Sequence, residues 1–411
     1  MKNRGILISQ LLFFMLFGSF GAFGSFINLY LEQVIGLTGS QIGTIILLGL
    51  ITTVVMNPIW GYLADKTGKH VLLLKMGFLS SVIVGALYYS ASNFLMILMV
   101  VVLFEALRAP IMGLLEFIST NYSEQYGYDY GKVRVFASVG FLIFAMLTGF
   151  LVAGMQLEFL GFMIAFDGVI NLEFATFGIF LALNFIAFCL LFLLPKTEAQ
   201  SHSTSSEQKQ AFRRADVLHL LQNRRFLFIL ALTMIGFVTV DSAFSYSTMH
   251  LVTVLNAPEN IVSWNALFMV TPELILLPIG TMLILRFGFK KWYIFSILTM
   301  MVRLFIYGYA TNPFVFILGG VFHAIMIVMH ISGTISYIRK VVPAPVLGLA
   351  FTILASSMAF SRGVLSFIFG WLYEINSFFV FRAAILIVLV ALIMAIKSKS
   401  LNEVEKEKVI I

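Results

Sequence analysis

Long apolar runs alternate with short polar stretches from one end of the chain to the other. About 20 mostly apolar residues cross roughly 30 Å of hydrocarbon. Lipid offers no partner to backbone N–H and C=O groups, so a run of that length has to be a helix. Twelve spans are predicted, at about 7–31, 41–63, 72–90, 94–118, 133–155, 174–194, 226–253, 261–285, 292–310, 313–337, 346–370 and 378–396. Between Gln156 and Asn171, Glu158 and Asp167 interrupt an apolar sequence, which reads as an extracytoplasmic loop with interfacial character. The start, Met1-Lys2-Asn3-Arg4, imitates a signal peptide. The apolar run then continues from Gly5 to Tyr30 with no small-residue cleavage site, and is expected to stay as the first helix.

Composition narrows the class further. Of the 411 residues, 60% are hydrophobic and only 11% charged, and the mean hydropathy is +1.01. Soluble domains carry about 25% charged residues. Forty-three Phe and 20 Met need lipid in place of water. The single cysteine, Cys189, excludes an intramolecular disulfide and a cysteine-based zinc site. A net charge of +7 would suit nucleic acid if it were clustered, but the basic residues are scattered in short groups between spans. No nucleic-acid partner and no cofactor is expected.

The distribution of Lys and Arg orients the chain. With a cytoplasmic N-terminus, 22 of the 26 basic residues fall on inner flanks, and no outer loop contains one. The other four, Arg108, Arg303, Arg362 and Arg382, lie in or at the edge of spans. Both termini are therefore expected in the cytoplasm. The one long polar stretch, 196–225, contains Ser201-His202-Ser203-Thr204-Ser205-Ser206 and reads as a linker, with an interfacial helix near Asp216 to Gln222. It divides the chain into a six-helix unit at 1–195 and another at 226–396, followed by a tail at 397–411.

Two sets of six spans invite a search for a repeat. At a shift of 220 residues, Pro58 falls on Pro278, Lys66 on Arg286, Gly68 on Gly288 and His70 on Lys290. The first copy reads Gly61-Tyr62-Leu63-Ala64-Asp65-Lys66-Thr67-Gly68-Lys69-His70. Gly68 suits a tight cytoplasmic turn, and Asp65 can accept hydrogen bonds at a helix end. This string resembles the loop signature of the major facilitator superfamily. The resemblance implies an all-α membrane fold of two pseudo-symmetric six-helix bundles. It also implies a substrate site near the midplane and a gating role for Gly61, Asp65, Lys66, Gly68 and Lys69.

Ionisable side chains inside spans are costly and mark function by default. They are Glu105, Arg108, Glu116, Arg134, Asp241, Glu273, Arg303, His323, His330 and Arg362. Glu105 and Arg108, three apart on one helix, are placed to neutralise each other. Glu116 and Arg134 lie on either side of the loop Asn121 to Asp129, each about nine residues from its apex. At a rise of 1.5 Å per residue both sit roughly 10 Å into an antiparallel hairpin. A carboxylate accepts hydroxyl hydrogens and a guanidinium donates in a rigid fork, a pair suited to a polyhydroxylated ligand.

The run Glu116-Phe117-Ile118 with Tyr130-Gly131-Lys132-Val133-Arg134-Val135-Phe136 resembles the oligosaccharide–proton symporter family typified by lactose permease. The resemblance implies that Glu116 and Arg134 bind sugar and that Phe141 stacks on its ring, where the family has Trp. It extends to Pro272-Glu273-Leu274, Val302-Arg303, Phe322-His323 and Asp241-Ser242-Ala243-Phe244. By it, Glu273 and His323 contact substrate, while Glu273, Asp241, Arg303 and His323 serve coupling or charge pairing. Two positions depart from the pattern. Met326 stands where the family has a proton-carrying glutamate, and Gly320 where it has a lysine paired with the aspartate. Asp241 then needs Arg362 or Arg303 as partner.

The reading is proton-coupled uptake of a sugar by a monomer in the cell membrane, its partners being the solute, protons and lipid. Import of a nucleoside or an aromatic acid is the alternative, and drug–proton antiport a lesser one. An enzyme is not expected, because the sequence holds no G-x-S-x-G, H-E-x-x-H or P-loop motif.

Overall fold

The computed structural model describes residues 4–159, 162–195, 220–343, 346–398 and 401. Most of the linker and nearly all of the tail fall outside them. So does most of the interfacial helix expected near Asp216 to Gln222, of which 220–222 are helical. The described chain is helical apart from one hairpin, and 11 of its helices are long and apolar enough to cross a membrane. The expected eighth span is present in two pieces, Ile261–Leu276 and Gly280–Phe287.

The chain divides into two compact units. Unit 1 comprises Met1–Ser206 and Leu251–Leu267. Its helices are α1 (Arg4–Gln33), α2 (Gly39–Thr67), α3 (His70–Ser90), α4 (Phe94–Arg108), α5 (Pro110–Tyr126), α6 (Tyr130–Ala153) and α7 (Leu172–Leu190). Polar residues with short side chains start most of these helices. Thr38 forms a capping box with Gln41, and Asn93, Asp129 and Asn171 each accept from an amide in the first turn. Such caps satisfy N–H groups that lipid and helix both leave unpaired.

α1 and α6 pack closely because two glycines let their backbones touch. A methyl group at Gly140 would strike the Phe14 carbonyl, and one at Gly21 the Phe141 carbonyl. The segment Leu251–Leu267 belongs to this unit through specific bonds. Ser263 donates to the Met146 carbonyl at 2.9 Å, and the Asn260 amide donates to the Gly154 carbonyl at 2.9 Å. Thr253 donates to the Glu32 carboxylate at 2.6 Å.

Within the stretch read as an extracytoplasmic loop, Met155–Phe159 (β1) and Phe162–Phe166 (β2) pair as antiparallel strands, with Leu157 opposite Ile164. Two five-residue runs rich in Phe, Met and Ile are too short to span but suit a hairpin, which satisfies their backbone groups.

Unit 2 comprises Glu207–His250 and Phe268–Ile411. Its described helices begin with α8 (Arg224–Thr233), α9 (Thr239–Phe244) and α10 (Ser247–Met249). Beyond these, α11 (Ile261–Leu276) starts in unit 1 and crosses into unit 2. There follow α12 (Gly280–Phe287), α13 (Phe289–Tyr309), α14 (Pro313–Leu318), α15 (His323–Val328), α16 (Ile335–Val341), α17 (Leu347–Ile375) and α18 (Ser377–Lys397). Two of its spans contain π-helical turns, Met234–Val238 and Met329–Thr334. Such turns often lie at functional sites.

The repeat is visible in the backbone. Gly68 ends α2 at φ 65° and Gly288 ends α12 at φ 88°, both in the left-handed region that favours glycine. Pro58 lies inside α2, whereas its counterpart Pro278 lies in the turn between α11 and α12.

Candidate functional site

Each unit holds its own cluster of charged residues. In unit 1, Glu116 comes from α5 and Arg134 from α6, joined by a short turn in which Gly127 adopts φ 61°. The Arg134 Nε lies 4.0 Å from the Glu116 carboxylate, an ion pair too long for a good hydrogen bond. The Arg134 side chain is 35% exposed and that of Glu116 45%, which leaves donors and acceptors for a ligand. The guanidinium lies over the rings of Phe17 and Phe13, 4.4 Å and 5.3 Å from their centroids. Cation–π contact of this kind fixes a flexible side chain before any ligand arrives.

These α1 rings escaped the sequence reading, which assigned the aromatic role to Phe141. The half-buried Phe141 lies on α6, where its carbonyl faces Gly21 of α1. A signal was present in the sequence: Phe13, Phe17 and Phe20 recur at i, i+4 and i+7, which puts them on one face of α1. Deeper along the same span, Glu105 and Arg108 pair at 3.5 Å, as their spacing on one helix face implies.

Of the loop residues expected to act in gating, Gly61, Asp65 and Lys66 end α2, and Gly68 and Lys69 connect it to α3. Asp65 is exposed and faces the buried His70 at 3.9 Å. The His70 ring stacks on Phe117 at 4.6 Å, one residue from Glu116. Lys66 extends over its neighbour Tyr62.

In unit 2 the fully buried Arg303 is central, being 1% exposed. Its Nη1 meets the Nδ1 of His323 at 3.0 Å, and its Nη2 donates to the Met269 sulfur at 3.6 Å. Phe244 and Tyr307 hold its guanidinium between rings at 5.0 Å and 5.1 Å. An arginine can only donate, so His323 Nδ1 accepts and the proton of the neutral ring sits on Nε2. That Nε2 points towards the Glu273 carboxylate at 3.9 Å. Protonating His323 would set a second cation against Arg303 and remove the acceptor it uses.

Asp241 and Arg362 form a separate pair at 3.1 Å, linking α9 to α17. Of the two partners that the sequence left open for Asp241, Arg362 makes this contact, whereas Arg303 is engaged by His323. His330, in the second π-helical turn, stacks on Phe237 of the first at 4.0 Å.

Comparison with known proteins bears on what these clusters serve. The family model described as "MFS_1 like family" matches residues 6–405. Maltose permease of Geobacillus stearothermophilus is 28% identical over 144 residues, 35% of this chain and 36% of that protein. The probable 3-phenylpropionic acid transporter of Escherichia coli K12 is 25% identical over 193 residues, 47% of this chain and 46% of that protein. The matched segments thus span between a third and a half of these relatives' lengths. Among solved structures, the nucleoside transporter NupG superposes with a TM-score of 0.76 at 16% identity, covering 98% of this chain and 99% of that one. At that identity the likeness speaks for the fold.

Proposed function

Because this chain belongs to the MFS_1 like family and is a multi-pass membrane transporter of the major facilitator fold, we propose that it takes up a neutral sugar, an oligosaccharide or glycoside, together with protons. The observation that carries the reading is the Glu116–Arg134 pair, held open at 4.0 Å with its guanidinium against the α1 rings. A sugar hydroxyl donates to the carboxylate and accepts from the guanidinium, while the apolar face of the sugar ring suits a phenyl ring. The opposite charges balance, so the pair favours a neutral polyol over an anion. Phe141 lies on the same helix as Arg134 and is retained as a contact. The relative named maltose permease supports this substrate class.

Coupling is assigned to unit 2. Glu273 is assigned the proton, because the His323 Nδ1 serves as acceptor for Arg303 and Asp241 is ion-paired with Arg362 at 3.1 Å. Glu273 and His323 also offer an acceptor and a ring N–H to substrate. The gating loop of Gly61, Asp65, Lys66, Gly68 and Lys69 acts on the conformational change and does not touch the solute. The protein works as a monomer in the cell membrane with both termini in the cytoplasm.

A second reading, import of a nucleoside or an aromatic acid, draws on the α1 phenylalanines and on the relatives named for 3-phenylpropionic acid and nucleosides. Uptake of labelled sugars, nucleosides and aromatic acids into cells, with and without a protonophore, separates the two. Protonophore-sensitive sugar accumulation is the expected result. Accumulation confined to nucleosides or acids would overturn the sugar assignment.

A further inference from the structure

The Glu105–Arg108 pair has more around it than mutual neutralisation requires. Thr53 of α2 donates to the second Glu105 oxygen at 3.2 Å. The Arg108 guanidinium lies 4.7 Å from the Phe20 ring and 4.8 Å from the Phe104 ring. Arg108 is 13% exposed and Glu105 27%, so both charges are deep yet reachable. A pair this deep gives little net stability over apolar residues of the same volume, and its presence calls for another use.

Position adds to this. Arg108 stands near the middle of the 33-residue span Phe94–Tyr126, and Phe20 near the middle of the 30-residue α1. The helix is interrupted just there: Pro110 lacks the amide that would reach the Ala106 carbonyl, and the Trp60 indole donates to that carbonyl at 2.7 Å instead. Broken helices at mid-depth are where transporters place ligands.

The cluster also repeats the chemistry of Glu116 and Arg134: one carboxylate, one guanidinium, and a ring from the same face of α1. Phe17, under Arg134, and Phe20, under Arg108, have centroids 5.5 Å apart. From Phe13 to Phe20 the helix rises about 10 Å, comparable to two linked pyranose rings. Charges balance at both places, which again fits a neutral ligand.

We propose that Glu105, Arg108 and Phe20 form a second sugar-ring station in unit 1, so that the substrate is a saccharide of at least two rings. One ring sits at Glu116 and Arg134, the next at Glu105 and Arg108, and α1 supplies the aromatic edge to both. This inference rests on the sugar reading above.

The test uses the full chain in detergent and matched one-ring and two-ring ligands: maltose with methyl glucoside, lactose with methyl galactoside. The wild type should bind a two-ring member at least tenfold more tightly than its one-ring partner. Glu105→Gln and Arg108→Lys should erase that preference, weakening the two-ring ligand at least tenfold and the one-ring ligand less than twofold. Phe20→Leu leaves both charges in place, so it keeps the test open if a charge variant fails to fold; it should narrow the preference at least threefold. Equal loss for both ligands, no loss, or a wild-type preference for one ring would overturn the second station while leaving the sugar reading intact. If wild-type protein binds no sugar, the sugar reading falls first and the station with it.

Discussion

Replacing Asp241 by Asn while Arg362 stays leaves a guanidinium without the carboxylate 3.1 Å away. At an effective dielectric of about 20, unit charges at that distance attract by about 5 kcal/mol before solvation is considered. Solvation reduces this, because Arg362 is 42% and Asp241 28% exposed. Exposed pairs couple by roughly 0.2–1 kcal/mol, and breaking a fully buried one costs about 3–5 kcal/mol. The intermediate burial here predicts a coupling energy of about 1.5–2 kcal/mol. Asp241→Asn and Arg362→Gln should each destabilise the protein, and the double variant should be less damaged than the two losses added. The assay is reversible unfolding in mixed micelles, run on wild type, both single variants and the double variant. Proton-driven uptake by the same set should show rescue in the double variant. A coupling energy below about 0.5 kcal/mol, the scatter expected of independent sites, would refute the pairing. A cycle with Arg303→Gln serves as the control and should be additive.

Other outcomes follow from the same contacts. Arg134→Lys should lose at least tenfold in sugar affinity, measured by titration in detergent, since an ammonium cannot reproduce the two-pronged donation of a guanidinium. Unchanged affinity would remove Arg134 from the site. Glu273→Gln should abolish accumulation driven by a proton gradient while sugar counterflow persists; full accumulation by that variant would move the proton elsewhere. Gly140→Ala should lower stability by about 1–3 kcal/mol, because the added methyl meets the Phe14 carbonyl and the α1–α6 contact has to open. An unshifted unfolding midpoint would show that the helices part without cost.

Hydrophobic runs alone sufficed for the membrane class and nearly all the spans, because lipid leaves a chain of this composition one backbone solution and a minimum length for it. The paired glycines at 68 and 288 were also legible, since a left-handed turn is a local requirement of a single residue. Glu116 and Arg134 could be brought together on paper because one short turn joins their helices and depth follows from counting. Beyond one hairpin, counting gives depth but not neighbours. That Asp241 meets Arg362 while Arg303 takes His323 depends on how α9, α13, α15 and α17 are rotated about their axes, and residue spacing carries no such information. For the same reason the rings of Phe13 and Phe17 beside Arg134 are not legible, because they reach it through the packing of α1 against α6 at Gly21 and Gly140. The hairpin of β1 and β2 is not legible because strand pairing is decided by a partner a few residues away, while Glu158 and Asp167 suggest only that the segment leaves the lipid. Sequence thus determined which charges lie within the spans and how far along them; helix rotation and close backbone approach, set by packing across the whole unit, decided which of them touch and which are buried.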